Sequence, residues 1–188
     1  ALYHIAIGTA PDSGVADVHM FSVVAGGGGG WGSPVVTLLS NLTAPWGWGF
    51  VISSLAARGA TTGGRAAALV VGTMYDPRCG VTATSATTCS NSGSAHVYTV
   101  DSSGAWQWNG TLKAPVVKND ALCGASVAVA GDVVVVGCYG DKSLSTAVDV
   151  GEGWANASYV GAAHVWRLNA TNASASDREG YLKAATAA

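Results

Sequence analysis

Val133-Val134-Val135-Val136-Gly137 is a short apolar run that ends in glycine and is followed four residues later by an aspartate. A continuous Val run of this length, bounded by turn residues, predicts a strand that is buried on both faces. Related runs end at Gly8 and Gly72, so the pattern recurs about every 64 residues, which is typical of a repeat array. The aspartates that follow the three runs are Asp12, Asp76 and Asp141.

A second strand pattern follows each of these runs. It has the order His, apolar, aromatic, polar, apolar, and it occurs at Val18–Val23, Ala95–Val100 and Ala163–Leu168. Short strands repeated at this period predict an all-β protein in which each unit buries its faces against its neighbours. Glycine is abundant, with 26 residues, and helix-forming charged stretches are scarce, which favours strands and turns.

The repeats divide the chain into four segments. In the clearest copy, strands are predicted at 106–114, 124–130, 133–137 and 161–168, giving four antiparallel strands per unit, with a Trp near the start of the first. The Gly26–Gly30 run is expected to be a flexible linker. The predicted organisation is a partial repeat with this linker at 1–30, a repeat at 31–105, a repeat at 106–180 and the first strand of a further repeat at 181–188.

Composition excludes some classes of function. The net charge is −2 and only 11% of residues are charged, so the chain has no electrostatic footprint for nucleic acid. No segment reaches the roughly 18 apolar residues that a membrane span requires. The chain begins at Ala1 without Met or signal-peptide features, which suggests a processed protein or a fragment.

Asparagine and cysteine indicate the compartment. Of the seven Asn residues, all but Asn91 and Asn119 begin an Asn-X-Ser/Thr sequon, and this enrichment predicts a heavily N-glycosylated, extracellular or cell-surface protein. The predicted glycosylation sites are Asn41, Asn109, Asn156, Asn169 and Asn172.

The four cysteines are expected to form two local disulfides. Cys79 and Cys89 bracket a polar loop without a strand pattern. Cys123 and Cys138 would face each other across a hairpin if Ala130-Gly131 formed its two-residue turn. Buried free thiols are the alternative, and zinc is not expected, because the chain has no Cys-X-X-Cys and no paired His spacing.

One stretch carries a family resemblance. Residues 123–133, CGASVAVAGDV, followed by Gly137, Asp141 and 161–166, GAAHVW, resemble an FG-GAP repeat, the blade motif of integrin α-subunit propellers. The Phe of the motif is Cys123 here, and its Gly-Ala-Pro part survives only loosely from Gly137. The resemblance implies propeller-blade-like sheets, and because a closed propeller needs at least four blades, this chain is not expected to close alone.

No metal or cofactor is expected. Integrin-like members often carry Asp-X-Asp-X-Asp-Gly calcium loops, whereas Asp12, Asp76 and Asp141 each stand alone and are expected to cap turns. The repeated histidines His19, His96 and His164 could be gathered as metal ligands, but equivalent positions in adjacent blades lie too far apart. We expect them to be a packing or hydrogen-bonding solution inherited with the repeat.

No catalytic motif is present, so the protein is not expected to be an enzyme. Asp149 and Glu152 lie close together in a long loop rich in Gly, but the sequence does not show the geometry that a paired-carboxylate hydrolase requires. Trp46, Trp48 and Trp154 lie near sequons and are expected in blade cores, with sugar stacking as the alternative.

The function expected from the sequence is that of a non-enzymatic, extracellular structural or adhesive module. It would assemble head-to-tail into a glycan-coated filament, the strand near Tyr181–Ala184 of one copy pairing with residues 1–24 of the next. The alternative is a ligand-binding or glycan-binding fragment of a larger FG-GAP propeller receptor or lectin.

Overall fold

The computed structural model describes residues 2–8, 17–24, 35–43, 52–60, 67–80, 88–142, 159–168 and 175–182. All regular secondary structure in these residues is β, which confirms the all-β expectation. In this part of the chain no helix has the length and apolar character to cross a membrane. The strands are β1 (Leu2–Gly8), β2 (Asp17–Val24), β3 (Val35–Thr43), β4 (Ser54–Arg58), β5 (Ala68–Thr73), β6 (Ser94–Val100), β7 (Trp106–Leu112), β8 (Cys123–Ala130), β9 (Val133–Cys138), β10 (Ala162–Leu168) and β11 (Ala175–Leu182).

The strands form three antiparallel sheets. The first sheet has the order β1-β2-β3, the middle sheet β4-β5-β6-β7 and the last sheet β11-β10-β9-β8. Each sheet is formed by strands that are consecutive in the chain and pair as antiparallel neighbours, as sequential strands commonly do. The three sheets do not close into a ring among the described residues.

Sheet membership is offset by one strand from the predicted repeats. The strand beginning at Trp106, expected to open a new unit, is β7 and pairs with β6 of the preceding unit. Likewise β3 pairs with β2, and β11 pairs with β10. Tyr181 and Leu182, expected to pair with another copy, therefore lie opposite His164 and Ala163 of their own chain. Pattern identifies strands but not their partners, because both choices bury the same faces.

The register makes the three sheets equivalent strand by strand. Gly8, Gly72 and Gly137 lie at the same position in β1, β5 and β9, next to β2, β6 and β10. The middle and last sheets each have a further strand, β4 and β8, on the other side of that strand. In the first sheet the described residues provide no counterpart, so the outer edge of β1 carries no strand from the described part of the chain.

The sheets pack face to face with the middle sheet in the centre. One core lies between the first and middle sheets and includes Met20, Leu69 and Tyr98. The other lies between the middle and last sheets and includes Val70, Val97, Val134 and Trp166, with Val136 beside them. Burial of these aliphatic and aromatic side chains is the main force that holds the sheets together.

The hairpin between β8 and β9 differs from the prediction. Its turn is Gly131-Asp132, with Ala130 opposite Val133, so the expected Ala130-Gly131 turn is wrong. Gly131 takes a φ of 59°, which glycine adopts without strain. The two cysteines still face each other, because the register shifts between Cys123 and Ser126 and compensates for the displaced turn.

Main-chain hydrogen bonds join the middle and last sheets at one end. We call this the loop end; it is where β5, β7 and β9 finish. Gly93 and Cys123 form a parallel bridge, and Cys123 N donates to Ser92 O at 3.1 Å. Gly72 allows this approach, because a Cβ at that position would overlap the carbonyl oxygen of Gly124.

Candidate functional site

The outer face of the last sheet is the first candidate site. Every residue of β5 in the middle sheet is buried, whereas β9 alternates between buried and half-buried side chains. Val134 and Val136 point into the core, and Val135 lies on the opposite side of the strand. The last sheet therefore has one face in the core and one face that the described residues leave partly open.

The centre of this outer face is built from small and apolar residues, and the exposed Arg167 lies on the same face opposite Val133. Val135 lies opposite Ala128 on β8 and Val165 on β10, and Val133 and Ala163 lie on the same side of the sheet. The same positions of the middle sheet are Ala68, Val70, Ala95 and Val97, and all four are buried in the core against the last sheet. Equivalent strand positions are therefore buried at a sheet interface in the middle sheet but are only half-buried in the last sheet.

The surroundings of Gly137 and of its equivalent Gly72 also differ between the two sheets. Gly72 is approached by the main chain of the next sheet, at Gly124. A Cβ on Gly137 would instead meet mainly the Ser126 side chain of its own sheet. Among the described residues, no further sheet fills above Gly137 the space that the last sheet occupies above Gly72.

The first sheet has the reciprocal outer face. Val18, Met20 and Leu42 point toward the middle sheet, and His19 between them is half-buried on the other side. Leu38 of β3 is also on the outside and is 51% exposed. These two outer faces are the ends of the stack.

A buried ion cluster at the loop end is the second candidate. The Asp76 carboxylate is completely buried and accepts hydrogen bonds from Arg78 Nε at 2.8 Å, Arg78 Nη2 at 2.7 Å and Ser94 Oγ at 2.6 Å. Lys113 Nζ lies 3.4 Å from Asp76 Oδ2 and also donates to Ser92 Oγ and Gly93 O. The cluster joins the loop after β5 to the start of β6 and the end of β7.

The turn at Asp76 has the geometry expected from the sequence, because Asp76 Oδ1 also accepts from the backbone N of Arg78 at 3.0 Å. The sequence pattern does not predict the ion cluster itself. Asp76 and Arg78 are two residues apart, but Lys113 is distant in the chain and its partners depend on sheet pairing. The repeat of Thr111-Leu112-Lys113-Ala114 as residues 181–184, YLKA, was the available signal.

Burial and charge shift the titration of the cluster. Burial alone would raise the pKa of Asp76, but hydrogen bonds from Arg78 and Ser94 and the charge of Lys113 outweigh it and lower that pKa to about 2. Burial lowers the pKa of Lys113 to about 8, partly offset by Asp76. The cluster is a structural ion network that holds the loop after β5 against the start of β6.

His96 has the hydrogen-bonding role expected of the repeated histidines. Its ring nitrogens lie 3.0 Å from Thr111 Oγ1 and 3.3 Å from both Thr73 Oγ1 and Ser94 Oγ. Burial, with the positive charge of Arg78, lowers the pKa of His96 to about 3. His164 occupies the same position in the last sheet and is also buried, but its neighbours there are Cys123 and Cys138.

Both proposed cysteine pairs are joined by disulfides in the structure. Cys79 is bonded to Cys89, and Cys123 to Cys138, so none of the four cysteines is free. The first bond closes the loop beside Arg78. The second crosses from β8 to β9 inside the core between the middle and last sheets.

The predicted glycosylation sites are only partly described. Asn109 lies on the edge strand β7, where its Nδ2 donates to Thr99 Oγ1 at 2.8 Å. Asn41 lies in β3 opposite His19. The sites that fall outside the described residues are Asn156, Asn169 and Asn172, together with Asp12, Trp46, Trp48, Asp149, Glu152, Trp154 and the Gly26–Gly30 linker.

An aromatic pair lies at the loop end of the last sheet. Tyr139 and Tyr159 are 52% and 55% exposed, and their rings pack edge to face with centroids 6.3 Å apart. Lys142 Nζ lies 4.9 Å from the centroid of the Tyr159 ring. Exposed aromatic rings beside a cation can stack on sugars or on peptide groups.

No protein-family model, curated protein or solved structure matched this chain when it was compared with them.

Proposed function

We propose that this chain is a non-enzymatic, extracellular glycoprotein that acts as a structural or adhesive module, and that its sheets are FG-GAP-like blades. The two disulfides are compatible with an extracellular location, and the five sequons favour the same compartment. The observation that carries the proposal is the outer face of the last sheet. It places small apolar residues where the middle sheet has an interface.

Assembly is proposed to occur through sheet faces. The outer face of the last sheet in one copy packs on the outer face of the first sheet in the next copy, as the last sheet packs on the middle sheet within the chain. The alternative route is strand addition, in which β11, an edge strand whose other side pairs with β10, would pair with residues 1–24 of the next copy. Two different faces make a head-to-tail contact, which builds a filament or, if the rotation closes, a ring.

Mutation of the outer face tests this proposal. The glycosylated, disulfide-bonded protein is expected to show concentration-dependent growth in sedimentation velocity and filaments or rings by electron microscopy. Val135→Lys places a charge in the centre of the proposed interface and should leave the protein monomeric, because an unpaired charge there would be desolvated. Val116→Lys is the matched control, since Val116 is 47% exposed on a loop.

Two results would argue against assembly through this face. One is a wild-type protein that stays monomeric at all concentrations tested, and the other is a Val135→Lys variant that assembles as well as Val116→Lys. Circular dichroism of both variants distinguishes a loss of assembly from a loss of folding.

The aromatic pair supports a second candidate, a ligand-binding or glycan-binding fragment of a larger propeller. In this case Tyr159→Ala should reduce retention on immobilised glycans, because the ring that packs on Tyr139 and faces Lys142 is removed. Tyr75→Ala is the matched control, because Tyr75 is also an exposed tyrosine at the loop end. Equal retention of the two variants would contradict a sugar site at Tyr159.

A further inference from the structure

Three metal-ligand side chains converge in the core of the last sheet. Cys123 and Cys138 are opposite each other on β8 and β9, and His164 is on the adjoining strand β10. All three residues are almost completely buried, with exposures of 2%, 0% and 1%. Their sulfur and ring nitrogen atoms all lie within 4.8 Å of one another.

The middle sheet shows which side chains surround the equivalent histidine, His96. Thr73 lies at the place of Cys138, and Ser94 at the place of Ala162, as the pairing of β5 with β6 and of β9 with β10 requires. There the buried imidazole of His96 is surrounded by the hydroxyl groups of Thr73, Ser94 and Thr111.

In the last sheet the hydroxyl of Thr73, which lies 3.3 Å from the His96 imidazole in the middle sheet, is replaced by the sulfur of Cys138. The same buried histidine therefore faces two sulfur atoms, Cys138 Sγ and its cross-strand partner Cys123 Sγ. Thiolate sulfur with imidazole nitrogen is the ligand combination that zinc prefers in proteins.

We propose that reduction of the Cys123–Cys138 disulfide converts this place into a zinc site formed by two thiolates and His164. A thiol or phosphine reductant supplies two electrons, the S–S bond breaks, and two protons complete the two thiols. Zinc then displaces both thiol protons to the solvent and forms two Zn–S bonds, while the neutral imidazole donates its nitrogen lone pair. Water takes the fourth position of the tetrahedron.

Charge balance in the core favours zinc as the occupant. Two thiolates carry two negative charges, which a divalent cation cancels, so the buried site remains neutral overall. A monovalent soft cation would leave one net negative charge between two apolar sheets. The disulfide and the metal are mutually exclusive, and the metal would link β10 to β8 and β9, whereas the disulfide links only the latter two.

Cobalt binding tests the proposal directly. The background is Cys79→Ser/Cys89→Ser, which leaves Cys123 and Cys138 as the only cysteines. After reduction with a phosphine, this protein is expected to bind one Co²⁺ per chain with sulfur-to-cobalt charge-transfer absorption, and Zn²⁺ should bleach it. The unreduced protein should not produce this absorption. Adding His164→Ala should weaken binding by about tenfold or more, because even the loss of a group that only supports a ligand costs this much.

Three results would overturn the proposal. They are a reduced protein that stays folded by circular dichroism but shows no charge-transfer absorption, an equal affinity after His164→Ala, and unchanged binding after Cys123→Ser/Cys138→Ser. If reduction itself unfolds the chain, Zn²⁺ should restore the β-sheet spectrum of the background protein but not of its His164→Ala derivative. Failure of Zn²⁺ to restore that spectrum would also refute the site.

Discussion

Asp76→Asn tests whether the buried ion cluster stabilises the loop end. The wild-type carboxylate accepts hydrogen bonds from two side-chain nitrogens of Arg78 and from Ser94, and it lies next to Lys113. Asparagine removes the only negative charge of this cluster and directs an NH₂ group at donors. Removing one partner from a buried ion pair costs about 3–5 kcal/mol, so we expect Asp76→Asn to lower the free energy of unfolding by about this amount.

Asp132→Asn is the matched control for this substitution. Asp132 pairs with Arg167 at 3.0 Å, but the Arg167 side chain is 51% exposed, so the loss should be below about 1 kcal/mol. Urea unfolding followed by tryptophan fluorescence measures both, because Trp106 and Trp166 are buried in the two cores. A loss below about 1 kcal/mol for Asp76→Asn, or one equal to that of Asp132→Asn, would refute the reasoning.

The remaining predictions concern titration and close packing. The pKa of His96 is about 3 in the folded protein and about 6.5 in the unfolded chain, so the unfolded chain binds this proton first as the pH drops. The free energy of unfolding should therefore fall between pH 6.5 and pH 3, and in urea titrations the His96→Gln variant should lose less stability over this range. The pKa of Lys113 is about 8 in the folded protein and about 10.5 in the unfolded chain, so the folded protein loses this proton first as the pH rises. The free energy of unfolding should therefore rise by about 3 kcal/mol from pH 8 to pH 10.5, and Lys113→Met should abolish this rise. Gly72→Ala would overlap Gly124 O and should cost about 1–3 kcal/mol in thermal unfolding, whereas Gly59→Ala, which meets nothing within 4 Å, should cost little; equal losses would contradict the close approach of the two sheets.

The strands were predictable because their signals are local. The apolar run before Gly137 and the His-containing pattern at Ala163–Leu168 both lie in strands that the structure contains. Period, apolar character and bounding turn residues are sufficient for this step.

Strand partners and the ion cluster were not predictable from these signals. Whether β7 pairs with β6 or opens a new sheet depends on contacts across the whole stack, and the pattern of β7 is compatible with both. Lys113 reaches Asp76 only after β7 has joined the middle sheet. The predicted pairing of Cys123 with Cys138 is correct although the predicted turn is wrong, because the register shift between Cys123 and Ser126 compensates for the displaced turn.

The position of the main-chain hydrogen bonds between the middle and last sheets makes the resistance of this sheet pair to force depend on where the force is applied. The described hydrogen bonds that join the two sheets, such as Leu122 N to Asn91 O at 2.9 Å and Cys123 N to Ser92 O, are gathered at the loop end. Force applied at that end must stretch several directional bonds at once. Force applied at the opposite end acts on side-chain packing and can peel the sheets apart one contact at a time, so the yield strength of the pair depends on where it is pulled.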